Sequence, residues 1–390
     1  TERLLYEAGA IDELGSVDAG TTQTDSLALE QQRGITIRSA VASFALGDVH
    51  VNLIDTPGHP DFIAEVERVL SVLDGAVLVI SAVEGVQPQT RVLMRALRRL
   101  RVPTLLFLNK IDRAGADCER VLEAVSERLT PAIVPMGSAQ ALGTRAAGSV
   151  PFGADDPDFH SRLSEVLAER DDAILAAYVG DEPKATYERL RHGLAAQTSQ
   201  SLVHPVYFGS ALTGAGVEPL MSGIRELLPA SAGDANAPLA ATVFKIERGT
   251  GGEKIAYVRM FSGTLRIRDL MRFGGDLEGK VTALETFEEG LAVQAPSVSA
   301  GQIGKLWGLR EIQIGDRIGD APTDGAAQQF APPTLESLVV ARDGADRGRL
   351  RMALAQLAEQ DPLINVQLDD ASDEVSVSLY GEVQKQVIEA

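Results

Sequence analysis

Short apolar runs alternate with amphipathic stretches over the first 228 residues. The strand candidates are residues 39–46, 49–54, 76–80, 104–108 and 206–209, and the last four are almost continuously apolar. Such continuity is typical of strands that are buried on both faces of a parallel sheet. Between them, residues 61–72 and 89–100 repeat apolar positions with a helical period. The pattern predicts an α/β domain built from βαβ units.

The rest of this first domain is less regular. Residues 130–156 are rich in Ala, Gly and Pro and predict an insertion loop, which leads into a helical stretch over residues 158–196. The character changes again at residues 229–238, where Pro, Ala and Gly predict a linker. We therefore expect the first domain to span residues 1–230.

Two smaller domains are predicted after the linker. Residues 239–330 contain short alternating runs at 241–247, 255–261, 265–273, 280–287 and 302–306, which predict a small antiparallel β-barrel. Residues 333–390 follow a second boundary and contain a strand (335–341), a helix (347–359), two strands (364–368 and 375–380) and a helix from residue 381. This order predicts a partial ferredoxin-like α+β domain, because the last strand of that fold is missing.

Composition narrows the class of protein. The 390 residues are 45% hydrophobic, which is enough for packed cores. No apolar run approaches the roughly 18 residues that span a bilayer, so an integral membrane protein is excluded. A single cysteine, Cys118, excludes an intramolecular disulfide and a cysteine metal cluster and fits a reducing cytoplasm. The net charge of −19 disfavours binding to naked nucleic acid. Any nucleic-acid partner must therefore be bound through its shape, through a local basic patch or through accompanying proteins.

The tetrapeptide Asn109-Lys110-Ile111-Asp112 directly follows a strand candidate. A carboxylate at Asp112 could accept hydrogen bonds from N1–H and the 2-amino group of guanine, whereas adenine has neither donor. A site built on such bonds discriminates by about 10⁴ or more. Asn109 could bond N7, and the stem of Lys110 could cover the base. The alternative is an ordinary loop, but α/β sheets bind ligands at the carboxyl ends of their strands, which favours the site.

A second motif, Asp55-Thr56-Pro57-Gly58-His59, also follows a strand candidate. Asp55 could orient water on Mg²⁺, and Gly58 would let its amide approach a terminal phosphate. His59 would then position the attacking water. The alternative is an Asp–Pro–Gly turn with a solvent-facing histidine. Because the first motif follows the next-but-one strand, nucleotide binding is the better interpretation.

Two shorter stretches complete the candidate site. In Arg33-Gly34-Ile35-Thr36-Ile37, a Thr hydroxyl next to a flexible Gly is suited to reach Mg²⁺ and to order around a γ-phosphate. Alone, this stretch would be an ordinary strand entry. Ser210-Ala211 could supply a backbone N–H to guanine O6, although a dipeptide carries no independent weight.

These motifs resemble those of translational GTPases in order and in context. The barrel and the partial ferredoxin-like segment look like the second and third domains of elongation factor G. Residues 15–22 and 73–82 resemble one branch of this family, the tetracycline-resistance ribosomal protection proteins of the actinobacterial oxytetracycline type. Elongation factor G itself usually has Met in place of Ile111. The resemblance covers essentially the whole chain.

The resemblance implies a fold, an activity and partners. The fold would be multidomain α/β plus β, with a P-loop-type G domain that binds GTP or GDP and Mg²⁺. His59 would be catalytic, Thr36 and Asp55 would serve the metal, and the motifs named above would bind the nucleotide. The full-length protein would be a cytoplasmic, ribosome-dependent GTPase that releases tetracycline from the ribosome, with no membrane partner, and a monomer is expected.

The sequence departs from the family at its N-terminus. The first strand and the phosphate loop ending in Gly-Lys-Thr are missing, and in residues 15–22 Thr21 stands where a lysine is needed. Residues 1–14 instead predict the helix that follows that loop. Since the missing strand would lie between the strands ending at Ile54 and Ile80, its loss predicts a gap of about 9–10 Å. We therefore expect this chain to bind GTP feebly and to hydrolyse it negligibly.

Three interpretations stay open at this level. The first is the resistance GTPase, and the second is an elongation factor G paralogue in translocation or recycling. The third is a non-catalytic ribosome-binding module that descends from the GTPase. An arginine cluster is equally ambiguous, because it could be a solvated helix face or a ribosomal contact. It comprises Arg91, Arg95, Arg98, Arg99 and Arg101.

Overall fold

A parallel sheet of four strands in the order β3-β4-β8-β5 forms the centre of the first domain. The computed structural model describes residues 1–15, 30, 35–179, 185–230, 233–275, 277–320, 329–341, 347–369 and 374–389. The sheet strands are β3 (Ala76–Ser81), β4 (Thr104–Asn109), β5 (Ile133–Pro135) and β8 (His204–Phe208). Five of the six residues of β4 are buried, as the continuous apolar run predicts. Ser81 pairs with Asn109, so the carboxyl ends of β3 and β4 are level.

Helices pack against this sheet. They are α1 (Glu2–Glu7), α2 (Ile63–Leu70), α3 (Pro88–Arg99), α4 (Cys118–Arg128), α5 (Pro157–Ala168), α6 (Asp172–Val179), α7 (Tyr187–Ser199) and α8 (Val217–Leu227), with a 3₁₀-helix at Pro60–Phe62. The helical stretch over residues 158–196 is thus three helices, α5 to α7. The expectation of a helix over residues 1–14 is wrong, because α1 ends at Glu7. Gly9 has a left-handed φ of 72°, and the Ala10 amide bonds the Leu5 carbonyl at 2.8 Å, which closes the helix.

The strand that carries the second motif does not join the parallel sheet. β2 (Val49–Asp55) forms an antiparallel hairpin with β1 (Ala40–Leu46), and in the described residues it shares no ladder with β3. The prediction that this strand is buried on both faces is wrong, because no residue of β2 is fully buried. A cavity of about 620 Å³ is lined by β2, by residues 72–75 and by α8. The predicted gap of about 9–10 Å between the two strands stays a prediction.

The predicted insertion loop contains three short strands. They are β5, β6 (Gly137–Gln140) and β7 (Gly148–Pro151). β5 extends the main sheet by pairing with β8, with Ile133 opposite His204, and β6 pairs with β7. The expectation of a loop is wrong here because strands of three or four residues are too short to establish a period.

The second domain is an antiparallel sheet of eight strands, with two further strands that pair with each other. The strands are β9 (Ala240–Arg248), β10 (Lys254–Ser262), β11 (Thr264–Arg266), β12 (Leu270–Phe273), β13 (Leu277–Lys280), β14 (Ala283–Glu288), β15 (Leu291–Gln294), β16 (Ser297–Ser299), β17 (Ile303–Trp307) and β18 (Arg317–Gly319). The run 265–273 is two strands, because Arg268 takes a left-handed φ of 78°. Buried side chains such as Val258, Leu284 and Leu306 form one core between the strands.

The third domain has the predicted β-α-β-β-α order. Its elements are β19 (Leu335–Val339), α9 (Arg347–Gln360), β20 (Gln367–Asp369), β21 (Glu374–Leu379) and α10 (Glu382–Glu389), and the sheet order is β19-β21-β20. The strand expected at 364–368 begins only at Gln367, because Pro362–Ile364 is a 3₁₀-helix whose Leu363 amide donates to Asp361 at 3.2 Å. The multidomain α/β and β fold is confirmed, while the domain boundaries remain predictions.

Candidate functional site

The loop after β4 is anchored by backbone hydrogen bonds to two other loops. Asn109 is the last residue of β4, and Lys110 turns the chain with a left-handed φ of 68°. Ile111 is completely buried; its amide donates to the Gly209 carbonyl at 3.3 Å, and its carbonyl accepts from the Gly143 amide at 2.9 Å. Ile111 is therefore an anchor that leaves its two neighbours, Lys110 and Asp112, at the surface.

Asn109 joins this loop to the one after β8. Its Oδ1 accepts hydrogen bonds from the Lys110 amide at 2.8 Å and from the Ala211 amide at 2.9 Å. The Ser210 amide donates to the Ala215 carbonyl at 2.9 Å. The structure thus brings the two predicted base-contacting stretches together. One of these two residues is expected to donate its amide to guanine O6. The Ala211 amide already donates to Asn109 Oδ1, so it could bind O6 only by sharing its hydrogen between both acceptors.

In the described part of the chain, the Asp112 carboxylate has no protein partner. The residue is half-buried, and among the described residues its side chain makes no hydrogen bond or ion pair. A carboxylate held at a fixed loop position and left without a donor is suited to a ligand that brings its own N–H groups. This is the chemistry that the N1–H and 2-amino groups of guanine supply.

Glu84 is a member of this site that the sequence analysis missed. It follows β3, and its Oε1 and Oε2 lie 3.2 and 3.3 Å from Lys110 Nζ. Slight burial raises the pKa of the Glu84 carboxyl, but its own amide and the Lys110 ammonium lower it more, so the net shift is downward. Because β3 and β4 are parallel neighbours, the loops that follow them meet, and this rule could have found Glu84.

The second motif lies at the end of β2. Asp55 pairs with Ala40 across the hairpin, and Pro57 is buried. Among the described residues other than its chain neighbours, no atom lies within 4 Å of a Cβ added at Gly58, so packing does not require glycine there. Gly58 is exposed and has no side chain, so an external phosphate could approach its amide.

His59 has a defined orientation. Its Nδ1 accepts the Asp61 amide at 3.2 Å, and its side chain is 35% exposed. In the neutral ring this bond leaves the proton on Nε2, which is then a hydrogen-bond donor. Protonated Nδ1 would instead face Asp61 Oδ1, which lies 3.5 Å away. The neutral ring can therefore orient a water by donating to it, but Nε2 cannot also remove a proton.

The segment around Thr36 is tied to α2. The Ile37 and Arg38 amides both donate to Glu30 Oε1 at 2.9 Å. The Ser39 amide and hydroxyl both donate to Glu65 Oε2 at 3.0 Å. Arg33, Gly34 and residues 16–22 lie outside the described residues.

Residues within α2 and just before it contact the third domain. Arg68 pairs with Glu65 at 2.5 Å and with Asp361, and it donates to the Gln360 carbonyl at 2.7 Å. Asp61 Oδ2 accepts the Val383 amide at 2.8 Å, in the first turn of α10. The helix that follows the second motif is therefore in contact with both the Thr36 segment and the third domain.

The predicted site residues form two groups. The stretches at residues 109–112 and 210–211 are in direct contact, whereas residues 55–59 belong to the separate β1–β2 hairpin. Sharing of one nucleotide by the two groups remains a prediction. Among the described residues, no helix is both long enough and apolar enough to cross a bilayer.

Comparisons with known proteins match two parts of the chain to family models. The family model of the elongation factor Tu GTP binding domain matches residues 1–230, and that of elongation factor G domain 2 matches residues 238–321. The oxytetracycline resistance protein of Streptomyces rimosus is 54% identical over 398 residues, which cover all of this chain and 60% of that protein. The tetracycline resistance protein TetM of Streptomyces lividans is 46% identical over 404 residues, covering 100% and 61%.

A solved structure shares the fold. The crystal structure of a protein from Thermus thermophilus superposes with a TM-score of 0.85 at 25% identity, covering 99% of this chain and 62% of that one. The chain thus spans about 60% of the length of the curated relatives named above. The resemblance that the motifs indicate is confirmed. This chain belongs to the translational GTPases that carry the elongation factor Tu type of GTP-binding domain.

Proposed function

We propose that this chain carries the guanine-selecting part of a ribosome-dependent GTPase that protects against tetracycline. The observation that supports it most is the arrangement of Asn109, Ala211 and Asp112. An amide side chain ties two loops together, and next to it stands a carboxylate without a protein donor among the described residues. The named relatives are tetracycline and oxytetracycline resistance proteins, which supports the antibiotic assignment.

The base would be read by complementary hydrogen bonds. Asp112 would accept from N1–H and the 2-amino group, and the stem of Lys110, fixed by Glu84, would lie along the ring. Adenine would leave the Asp112 carboxylate desolvated without a donor, which costs about 1–3 kcal/mol or more for a charged group. Selectivity for guanine then follows from the unpaired state of that carboxylate.

The second group would serve the phosphates. Gly58 is exposed and has no side chain to block its amide, and His59 would orient water by donation from Nε2. Thr36 and Asp55 would hold Mg²⁺, whose oxygen-rich coordination suits a hydroxyl and a carboxylate and which would neutralise phosphate charge. Release of the drug, action on the ribosome and a cytoplasmic location belong to the proposal for the full-length protein.

A test of the base site uses the change Asp112→Asn. With xanthine, the Asn NH₂ group can donate to the 2-oxo group while the Asn carbonyl oxygen accepts from N1–H, whereas with guanine the same NH₂ group would face the 2-amino group, donor against donor. We expect the ratio of Kd values for GDP and XDP, measured by equilibrium dialysis on this chain, to invert in favour of XDP. Asp155→Asn, at an exposed position that makes no side-chain contact in the described residues, is the matched control. An unchanged ratio in Asp112→Asn would contradict the proposed site.

A further inference from the structure

Helix α3 presents a face of arginines to solvent. Arg91, Arg95, Arg98 and Arg99 are all exposed, while Thr90, Met94, Ala96 and Leu97 on the other side are buried. At about 100° per residue, the four arginines fall within a sector of about 100° of the helix surface. Arg101 follows directly and is also exposed. From the sequence alone, this cluster could be either a solvated helix face or a ribosomal contact.

No acidic side chain of the described residues pairs with this face. Among the described residues, the side chains of Arg91, Arg95 and Arg101 make no hydrogen bond or ion pair, although the chain has 55 acidic residues. Some arginines elsewhere are paired, such as Arg225 with Asp48 at 2.7 Å. The positive charge of these arginines is therefore a local feature of a chain whose net charge is −19, and it can attract a polyanion.

Two arginines at the end of α3 are fixed in place. Arg98 Nη1 donates to the Leu129 carbonyl at 3.0 Å. Arg99 donates to Gln329 twice, at 2.7 Å to Oε1 and at 2.7 Å to the carbonyl. Because these contacts hold part of the face rigid, less side-chain entropy is lost when a ligand binds. The exposed Arg128, next to Leu129, extends the positive surface onto the end of α4.

The chemistry of the face favours phosphates over an acidic protein. The planar guanidinium matches phosphate oxygens with two parallel hydrogen bonds. Protein interfaces need an apolar or aromatic centre, whereas α3 contains no aromatic residue and exposes one large apolar side chain, Val92, to 37%. Residues 91 to 99 extend over about 12 Å of helix axis, enough for several successive phosphates.

We propose that the arginine face of α3, residues 91, 95, 98, 99 and 101, binds the phosphate backbone of RNA. The choice of RNA over DNA rests on the proposed action at the ribosome, while the polynucleotide contact stands on the face itself. Contacts of this kind position a protein without reading sequence. The surface lies on a helix that carries none of the nucleotide-binding motifs, so it is a separate site.

The experiment measures binding of the whole chain to a fluorescein-labelled RNA duplex of about 16 base pairs by anisotropy, over a range of salt concentrations and without nucleotide. The double variant Arg91→Gln, Arg95→Gln removes two phosphate contacts but no intramolecular one. We expect binding to weaken about tenfold or more at about 50 mM salt. The slope of log K against log salt should become shallower by about two.

The control has the same change in net charge. Arg162→Gln, Arg170→Gln alters two exposed arginines on and just after α5. Equal weakening by both double variants would mean that only net charge matters and would overturn the proposal. So would an absence of wild-type binding at low salt, or a labelled poly-glutamate that binds as tightly as the RNA. A DNA duplex of the same length that binds more tightly than the RNA would overturn the choice of RNA. Asp112→Asn should leave RNA binding unchanged, which separates this test from that of the guanine site.

Discussion

Removal of Arg68 should release the third domain from α2. The Arg68 side chain is 6% exposed and lies between Glu65, 13% exposed, and Asp361, 21% exposed. In Arg68→Met the aliphatic stem stays, but two largely buried carboxylates lose their cation. Removing one partner of a buried ion pair costs about 3–5 kcal/mol, and the residual exposure of Asp361 places the expected loss near the lower bound, about 3 kcal/mol.

The assay is urea unfolding of the variant, together with tryptic cleavage at Lys385 in α10. Arg272→Met is the matched control, because that arginine is 78% exposed and pairs with Glu278 on the surface of the second domain. Exposed pairs contribute about 0–1 kcal/mol, so the control should change stability little. Asp361→Asn completes a double-mutant cycle, in which we expect a coupling energy of about 1 kcal/mol or more with Arg68→Met.

The pH dependence gives an independent check. Burial raises the pKa of the Glu65 carboxyl, but Arg68, Lys245 and the Ser39 donors lower it more, so the folded pKa lies below the ordinary value. Stability from this group is present above the unfolded pKa and is lost as the pH falls through the folded pKa. Arg68→Met should weaken that dependence. A variant as stable as Arg272→Met, or strict additivity with Asp361→Asn, would refute the reasoning.

Three further predictions concern the first domain. Burial lowers the pKa of His204 to about 4, while Nδ1 bonds the Thr104 carbonyl at 3.2 Å. Because unfolded His204 binds protons from about pH 6.5, unfolding free energy should fall by about 2 kcal/mol between pH 7 and pH 5. His204→Asn should abolish this fall in urea titrations. A Cβ at Gly223 would lie 2.1 Å from Tyr207 Oη. Gly223→Ala should therefore cost about 1–3 kcal/mol in thermal unfolding, and stabilisation, as helix propensity alone implies, would contradict it. Asn109→Ala leaves two amides without an acceptor and should cost about 1–2 kcal/mol, whereas Asn109→Asp should not.

Much of the site follows from local pattern. The buried strand β4 ends at Asn109, as its continuous apolar run predicts, and this places residues 109–112 at the carboxyl edge of the sheet. Both loops are predicted to contact the base, and the structure joins them through Asn109 and Ala211, because loops after neighbouring parallel strands lie close together. The order of the three domains could also be predicted, because the spacing of apolar residues along the chain changes from one domain to the next.

Other features depend on the tertiary structure. Strands β5 to β7 are three or four residues long, so burial and pairing, and not a repeating pattern, decide their conformation. β2 has an apolar sequence like that of β4, yet in the described part of the chain it pairs only within its hairpin, because strand pairing depends on which neighbour is in place.

Ion pairs also show the difference between what the sequence determines and what the tertiary structure decides. By itself the sequence determined which segments are apolar, where strands give way to polar loops, and which side chains could recognise guanine. Only the tertiary structure decided that Arg68 meets Asp361, a residue far away in the chain, or that Arg91 and Arg95 meet no acid among the described residues. The physical reason is that local periodicity reports burial along one element, whereas ion pairing depends on distances of a few ångströms between elements that are remote in sequence.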